Sequence, residues 1–313
     1  MRIVFMGTPE SAVPSLRRLL ADGHEIVAVW TQPDKPAGRG NKLHQSPVKE
    51  FASQRNLTIH QPFKIKTEEA KALFSSHRAD AAIVVAYGKI LPAEFLNAPR
   101  HGGINVHFSL LPKYRGAAPV NWAIVNGEKE TGVTTMKIVA ELDAGPILLQ
   151  CPTEIQESET APELLTRLAE IGAELLSETL KRFDTIQPRP QQDQEATLAP
   201  LLKREDGLID WSTDAFAIQR RVQGFQPWPN AYTSLRSQRL IIWKAAPEWI
   251  EQLAFPPGQI IEARGDRLII ACGEATALRV SELQTEGGRR LSARDFLNGM
   301  HLKVGEFLAP TRS

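Results

Sequence analysis

Within GGINVHFSLLPKYRGAAP, residues 102 to 119, Asn105 and His107 interrupt an apolar run that then stops at prolines and a basic, glycine-containing loop. Side chains alternate along a strand, so Asn105 and His107 share one face while Ile104, Val106 and Phe108 share the other. A third polar group, Asp143 in ELDAGPI, is carried on a turn flanked by glycine and proline. Each has an ordinary reading alone: an Asn/His pair satisfied on a half-buried strand, and an aspartate that makes a turn. Together they supply the roles that acyl transfer to an amine requires without a covalent enzyme intermediate. The amide and an imidazolium can donate to a developing oxyanion, and the carboxylate can hold the imidazole and manage protons.

Other chemistries lack their signatures. No GxSxG elbow occurs, and Cys151 has no nearby histidine in the sequence. GTPESA, after the first apolar run, lacks the second and third glycines of the dinucleotide fingerprint, and there is no Walker A sequence. The seven histidines show no HExxH or other ligand spacing, so no metal is expected. Cys151 and Cys272 form no CxxC or Cys/His cluster and are read as small buried residues.

The elements that must position the polar residues are legible around them. RIVFMG (2 to 7) reads as a strand, with Thr8 as a helix cap, Pro9 at the first helical position, and Val13, Leu16, Leu19 and Leu20 at helical spacing. HEIVAVWTQ, ADAAIVVAYG, GGINVHFSL and TGVTTMKIV add strands. SPVKEFASQRN, TEEAKALFSSHR and APELLTRLAEIGAELLSETLKRF add helices. Such alternation predicts an α/β fold with a mostly parallel, doubly wound sheet, whose crevice at the strands' carboxyl ends gathers loops 7–10, 87–92 and 109–119. TIQPRPQQDQEATLAP is too polar to pack a core and reads as a linker. Domains are therefore expected at 1–186 and 207–313, with 187–206 between them. In the second, RLIIWKA, GQIIEA, RLIIACG and ALRVSELQ are short strands and SARDFLNGM is a helix capped by Ser292, giving a small β-rich domain, read as a barrel.

With 313 residues, 42% of them hydrophobic, the chain can bury such cores. MRIVFMGTPE breaks into a turn too early for a secretory signal, and no window reaches the ~18 consecutive apolar residues of a membrane helix, so a cytoplasmic protein is expected. A net charge of +1 gives no global pull toward nucleic acid, so any basic site must be local. One candidate is TQPDKPAGRGNKLHQSPVK, with Lys35, Arg39, Lys42 and Lys49 among prolines and glycines. It reads either as a solvated loop or as a mobile basic loop for an RNA backbone. PLLKREDG adds Lys203 and Arg204 near the start of the second domain.

These motifs, with VFMGTPE, VVAYGKILP, ETGVTTMKI and GLIDW, span essentially the whole chain and together resemble the methionyl-tRNA formyltransferases. Asn-x-His with SLLP and a later Asp is common to the wider 10-formyltetrahydrofolate-dependent formyltransferases; PDKPAGRG and the domain order favour the tRNA branch. The resemblance implies a Rossmann-like formyltransferase domain followed by an OB-like barrel that helps to bind tRNA. It also implies catalysis by Asn105, His107 and Asp143, with 10-formyltetrahydrofolate as co-substrate and no metal. Ser109, Leu110, Leu111 and Pro112 match the folate-contacting signature, and Tyr87 and Gly88 the wall of a pterin pocket. Lys35, Arg39, Lys42 and Lys203 fall at tRNA-contacting positions. Initiator Met-tRNA is the implied acceptor, and a monomer the implied state. Phe108 departs from the resemblance, standing where many relatives have a small residue. Three alternatives stay open on the residues alone: a relative formylating a small amine, one releasing formate, and an RNA-binding protein with a vestigial folate site.

Overall fold

The first strand, β1 (Arg2–Gly7), is buried continuously from Ile3, as befits a strand covered on both faces. After it come β2 (Glu25–Trp30), a small hairpin of β3 (Lys35–Ala37) with β4 (Lys42–His44), and the short β5 (Ile59–His60). They are followed by β6 (Ala81–Val85), β7 (Gly103–His107), the two-residue β8 (Arg115–Gly116), β9 (Glu130–Lys137), β10 (Ile147–Glu154) and β11 (Leu198–Ala199). Seven of them form one sheet in the order β10-β9-β7-β6-β1-β2-β5. Pairing is parallel from β7 through β5 and antiparallel for β7 with β9 and for β9 with β10. The chain passes from β1 outward to one side and then returns to β6 on the other, so the strand order reverses at β1.

The computed structural model describes residues 1–37, 42–250 and 255–309, and these divide into two units. The first comprises Met1–Pro119, Glu130–Glu154 and Leu165–Ala199, and holds the seven-stranded sheet. Its helices begin with α1 (Val13–Ala21), α2 (Pro47–Ser53), α3 (Glu68–Ser76) and α4 (Ala93–Asn97). Ser46 caps α2 by accepting from the Lys49 amide, and Thr67 caps α3 by accepting from Ala70. Thr8 caps nothing: a 3-10 turn at Glu10–Ala12 precedes α1, and the Thr8 hydroxyl donates instead to the Tyr87 carbonyl. α5 (Pro119–Val125) belongs to the second unit from Val120, and the 21-residue α6 (Ala161–Lys181) belongs to the first from Leu165. Gly172 on α6 leaves room for β7, since a Cβ there would stand 2.9 Å from Val106 Cγ1 and 3.5 Å from Phe108 Cε1. Phe108 is thus absorbed on the face of β7 opposite Asn105 and His107.

The polar stretch expected to be a linker packs as far as Ala199 in the first unit. There Leu198 and Ala199 pair in parallel with Arg115 and Gly116. Its polar composition satisfies hydrogen bonds rather than a core, which is why composition alone reads it as free chain.

The second unit, Val120–Lys129, Ile155–Leu164 and Pro200–Ser313, contains α7 (Ala215–Gly224), an antiparallel sheet and α8 (Ala293–Met300). Its strands are β12 (Ala231–Leu235), β13 (Gln238–Glu248), β14 (Ile260–Arg264), β15 (Arg267–Ala271), β16 (Ala277–Thr285) and β17 (Leu291–Ser292). The order is β12-β13-β16-β15-β14, with β17 on β16. The free edges of β12 and β14 are joined by the chain that follows α8. Ala309 exchanges two backbone hydrogen bonds with Ser234, Leu308 donates to Gly258, and Ile260 donates to Glu306. The sheet is thereby closed around Ile242, Leu268, Ile270, Val280, Leu283 and Phe296. Ser292 caps α8 as expected. Of the two cysteines, Cys272 is buried, and its thiol is pushed up to about 12 by that burial; Cys151, on β10, is only half-buried. No helix among the described residues is long and apolar enough to cross a membrane.

Candidate active site

β7 enters the sheet between β6 and β9, with Asn105 opposite Val84 on one side and Met136 on the other. Asn105 is half-buried, and His107, at the strand's end, is 6% exposed. His107 Nε2 lies 2.9 Å from the Tyr114 carbonyl oxygen. A carbonyl only accepts, so this bond places a proton on Nε2. The other nitrogen, Nδ1, stands 3.8 Å from Asp143 Oδ2, an ion-pair distance rather than a hydrogen bond. The nitrogen on the side of the carboxylate is therefore Nδ1, and Nε2 is the one committed to the backbone.

Asp143 lies on the connection between β9 and β10, at φ 50°, a backbone region L residues seldom occupy. Its Oδ2 accepts from the Gly116 amide at 2.9 Å. Gly116 has φ 126°, and a Cβ there would meet the Ala199 carbonyl oxygen at 2.5 Å, so only glycine lets β8 deliver this donor while pairing with β11. The structure thus brings His107 and Asp143 together and sets Asn105 two residues before His107 on the same face.

The SLLP turn is built as scaffolding. Ser109 is fully buried and its hydroxyl donates to the Lys113 carbonyl at 2.7 Å. Thr134 of β9, also fully buried, donates to Ser109 O at 2.6 Å and accepts from Leu111 N at 3.1 Å. Gln150 Nε2 donates to Leu111 O at 2.8 Å, and Leu111 packs with Met136 and Ile147. The hydrogen bonds of Ser109 and Leu111 are thus made within the turn and to its neighbours, while Leu110 and Pro112 are half-buried.

The loop after β6 divides between core and surface. The Tyr87 ring is 1% exposed and belongs to the core with Trp30, Phe74 and Phe95, where burial pushes its phenol up to about 12. Gly88 beside it is exposed at φ 81°, and Gln32 Nε2 donates to the carbonyls of Tyr87 and Gly88 at 3.2 and 3.1 Å. Bare backbone in a left-handed conformation, next to the exposed Ile90, fits the approach of a flat heterocycle such as a pterin.

Of the basic residues, Lys35 is exposed at the start of β3. Arg39 lies outside the described residues, as does the side chain of Lys42. Lys203 is exposed in the second unit, where its backbone amide donates to Asp206 Oδ2 at 2.6 Å ahead of a 3-10 turn. Sequence reasoning missed the Tyr114 carbonyl, the Gly116 amide, Thr134, Gln150 and Gln191. The first two are backbone groups without a side-chain signature, and the others matter through neighbours distant in sequence.

Two family descriptions match the chain: Formyl transferase over residues 1–180 and Formyl transferase, C-terminal domain, over residues 201–301. Among curated relatives, the methionyl-tRNA formyltransferase of Caldanaerobacter subterraneus subsp. tengcongensis is 48% identical over 316 residues, covering 98% of this chain and 100% of the relative. That of Solibacter usitatus is 49% identical over 310 residues, covering 98% of each. Among solved structures, the sugar 3N-formyl transferase WlaRD, crystallised in the presence of dTDP and 5-N-formyl-THF, superposes with a TM-score of 0.66 at 20% identity. That superposition covers 90% of this chain and 97% of WlaRD, and supports the fold.

Proposed function

Because the chain belongs to the methionyl-tRNA formyltransferases, we propose a division of labour among its own residues for the reaction that family performs. The enzyme transfers the formyl group of 10-formyltetrahydrofolate to the α-amine of methionine on initiator tRNA, giving formylmethionyl-tRNA and tetrahydrofolate. The amine nitrogen bonds to the formyl carbon, the bond to the folate nitrogen breaks, and one proton passes from the amine to the leaving nitrogen.

The observation that carries the assignment of roles is the unequal use of the two His107 nitrogens. Nε2 is held by the Tyr114 carbonyl, which leaves Nδ1, facing Asp143 at 3.8 Å, as the atom that exchanges a proton. In this reading Nδ1 takes the proton of the attacking amine, directly or through one water. Asp143 stabilises the resulting imidazolium. The Asn105 amide and the protonated Nδ1 then donate to the oxygen on which negative charge develops. Leu110, Pro112 and the bare backbone at Gly88 bind the folate ring, and Ser109 and Leu111 act by holding the turn. Lys35, Arg39, Lys42 and Lys203 bind tRNA phosphates. We assign the enzyme to the cytoplasm and a single chain as its working unit, for which sedimentation at the mass of one chain is the check.

The deciding experiment compares formyl transfer to methionine on initiator tRNA, to free methionine and to a small amino sugar, while formate is measured in parallel. Transfer confined to the charged tRNA is expected. Formate release, or equal transfer to the small amine, would overturn the acceptor while leaving the roles of His107 and Asp143 standing.

A further inference from the structure

We infer that Gln191 is a positioning residue for formyl transfer, holding the turn that carries Asp143 against the loop that orients His107. Its side-chain amide is used at both ends. Nε2 donates to the carbonyls of Asp143 and Gly145, each at 2.8 Å, and Oε1 accepts from Arg115 Nε at 2.9 Å. Arg115 lies between Tyr114, whose carbonyl holds His107, and Gly116, whose amide holds the Asp143 carboxylate. One amide therefore bridges the two backbone segments that fix the two members of the proton-handling pair.

The Asp143 turn needs such a restraint. An aspartate at φ 50° sits in a sparsely populated region and persists only where its surroundings over-determine it. The carbonyls of Asp143 and Gly145 belong to the connection between β9 and β10 rather than to a strand ladder. Gln191 itself is anchored on both sides. Arg189 exchanges backbone hydrogen bonds with Ile147 in both directions at 2.8 Å. Asp193 Oδ1 accepts from Arg115 Nη2 at 2.9 Å, and the Thr197 hydroxyl accepts from the Tyr114 amide at 2.8 Å. The stretch from Arg189 to Ala199 thus acts as a strap across the site, and Gln191 is the member that reaches Asp143. Glutamine suits the place because an amide is donor and acceptor at once. A glutamate would keep the acceptor for Arg115 but present a carboxylate to two carbonyl oxygens, and a leucine would offer neither.

The inference rests on the reading that Asp143 acts with His107. The test is steady-state formyl transfer by Gln191→Leu, Gln191→Glu, Asp143→Ala and the Asp143→Ala/Gln191→Leu double variant, with melting temperatures measured alongside. Both Gln191 variants should lose on the order of tenfold or more in kcat with KM for each substrate within about twofold, because a misplaced group about 1 Å away reacts far more slowly. In the Asp143→Ala background, Gln191→Leu should cost less than about twofold, the signature of residues acting as one unit. Wild-type kcat in Gln191→Leu, measured well below its melting temperature, would overturn the inference, as would full activity in Gln191→Glu, which would reduce Gln191 to a partner for Arg115. Normal turnover by Asp143→Ala would instead remove the reading of the site. An inactive Asp143→Ala beside a normal Gln191→Leu removes only the role of Gln191.

Discussion

His107 reaches the site with one nitrogen already committed, and this constrains what its neighbours must do. In the proposed division of roles, with Nε2 tied to the Tyr114 carbonyl, the imidazole would donate to the oxyanion only when Nδ1 is protonated, and Asn105 would be the donor that is always ready. Asn105→Ala should therefore lower kcat by ~100-fold or more, the usual cost of removing one oxyanion donor, with substrate KM values little changed. Steady-state kinetics on charged initiator tRNA measure this, and near-normal turnover in a folded variant would remove the role. Asn105, being half-buried, can be truncated without opening the core.

At the scale of elements, the site depends on how a turn is nailed to a strand. Thr134 of β9 serves Ser109, Leu111 and Gln150 with one buried hydroxyl. Thr134→Val keeps the shape but leaves the Leu111 amide and the Ser109 carbonyl without that partner, so it should destabilise the protein by about 1–3 kcal/mol in a denaturant titration. The outer edge of the same sheet holds a pair of neighbouring histidines. Trp30 Nε1 donates to His77 Nε2 at 3.2 Å, and the rings of His60 and His77 stand 5.1 Å apart. Burial holds both imidazoles below their ordinary range, and for His77 the neighbouring His60 adds to the effect. A native pKa below the unfolded one means that the unfolded chain binds more protons in the window below about pH 6.5. Stability from this pair is complete above that window and is lost as the pH falls through it. His60→Phe should flatten the fall in melting temperature between pH 7.5 and about pH 5.5, and an unchanged slope would count against the assignment.

For the whole molecule, a net charge of +1 leaves tRNA affinity to local clusters. Lys35 lies in the first unit and Lys203 in the second, so the proposal requires each unit to supply cations for tRNA phosphates. Lys35→Ala, Arg39→Ala and Lys203→Ala should each raise KM for charged tRNA and leave KM for the folate unchanged. Each should also reduce the slope of log affinity against log salt by about 1, since one fewer phosphate is neutralised. A salt slope equal to that of the wild type would exclude the altered residue from phosphate binding.

The amino-acid sequence by itself determined the alternation of strands and helices and the β-rich second unit, and it singled out Asn105, His107 and Asp143 as candidates, because hydrophobic period and residue type are local properties. It could not assign Tyr87 to the core, since burial depends on the neighbours Trp30 and Phe95 supplied by other parts of the chain. Nor could it read Ser109 as scaffolding, because its partner is a carbonyl that the turn folds back upon it. The packing of the strap at 189–199 was not legible for the same reason: polar residues look alike whether they bind water or Asp143 and Arg115, and only the tertiary structure decides which. Tertiary structure also fixed which His107 nitrogen faces Asp143, because that choice belongs to a backbone oxygen seven residues away in sequence and 2.9 Å away in space.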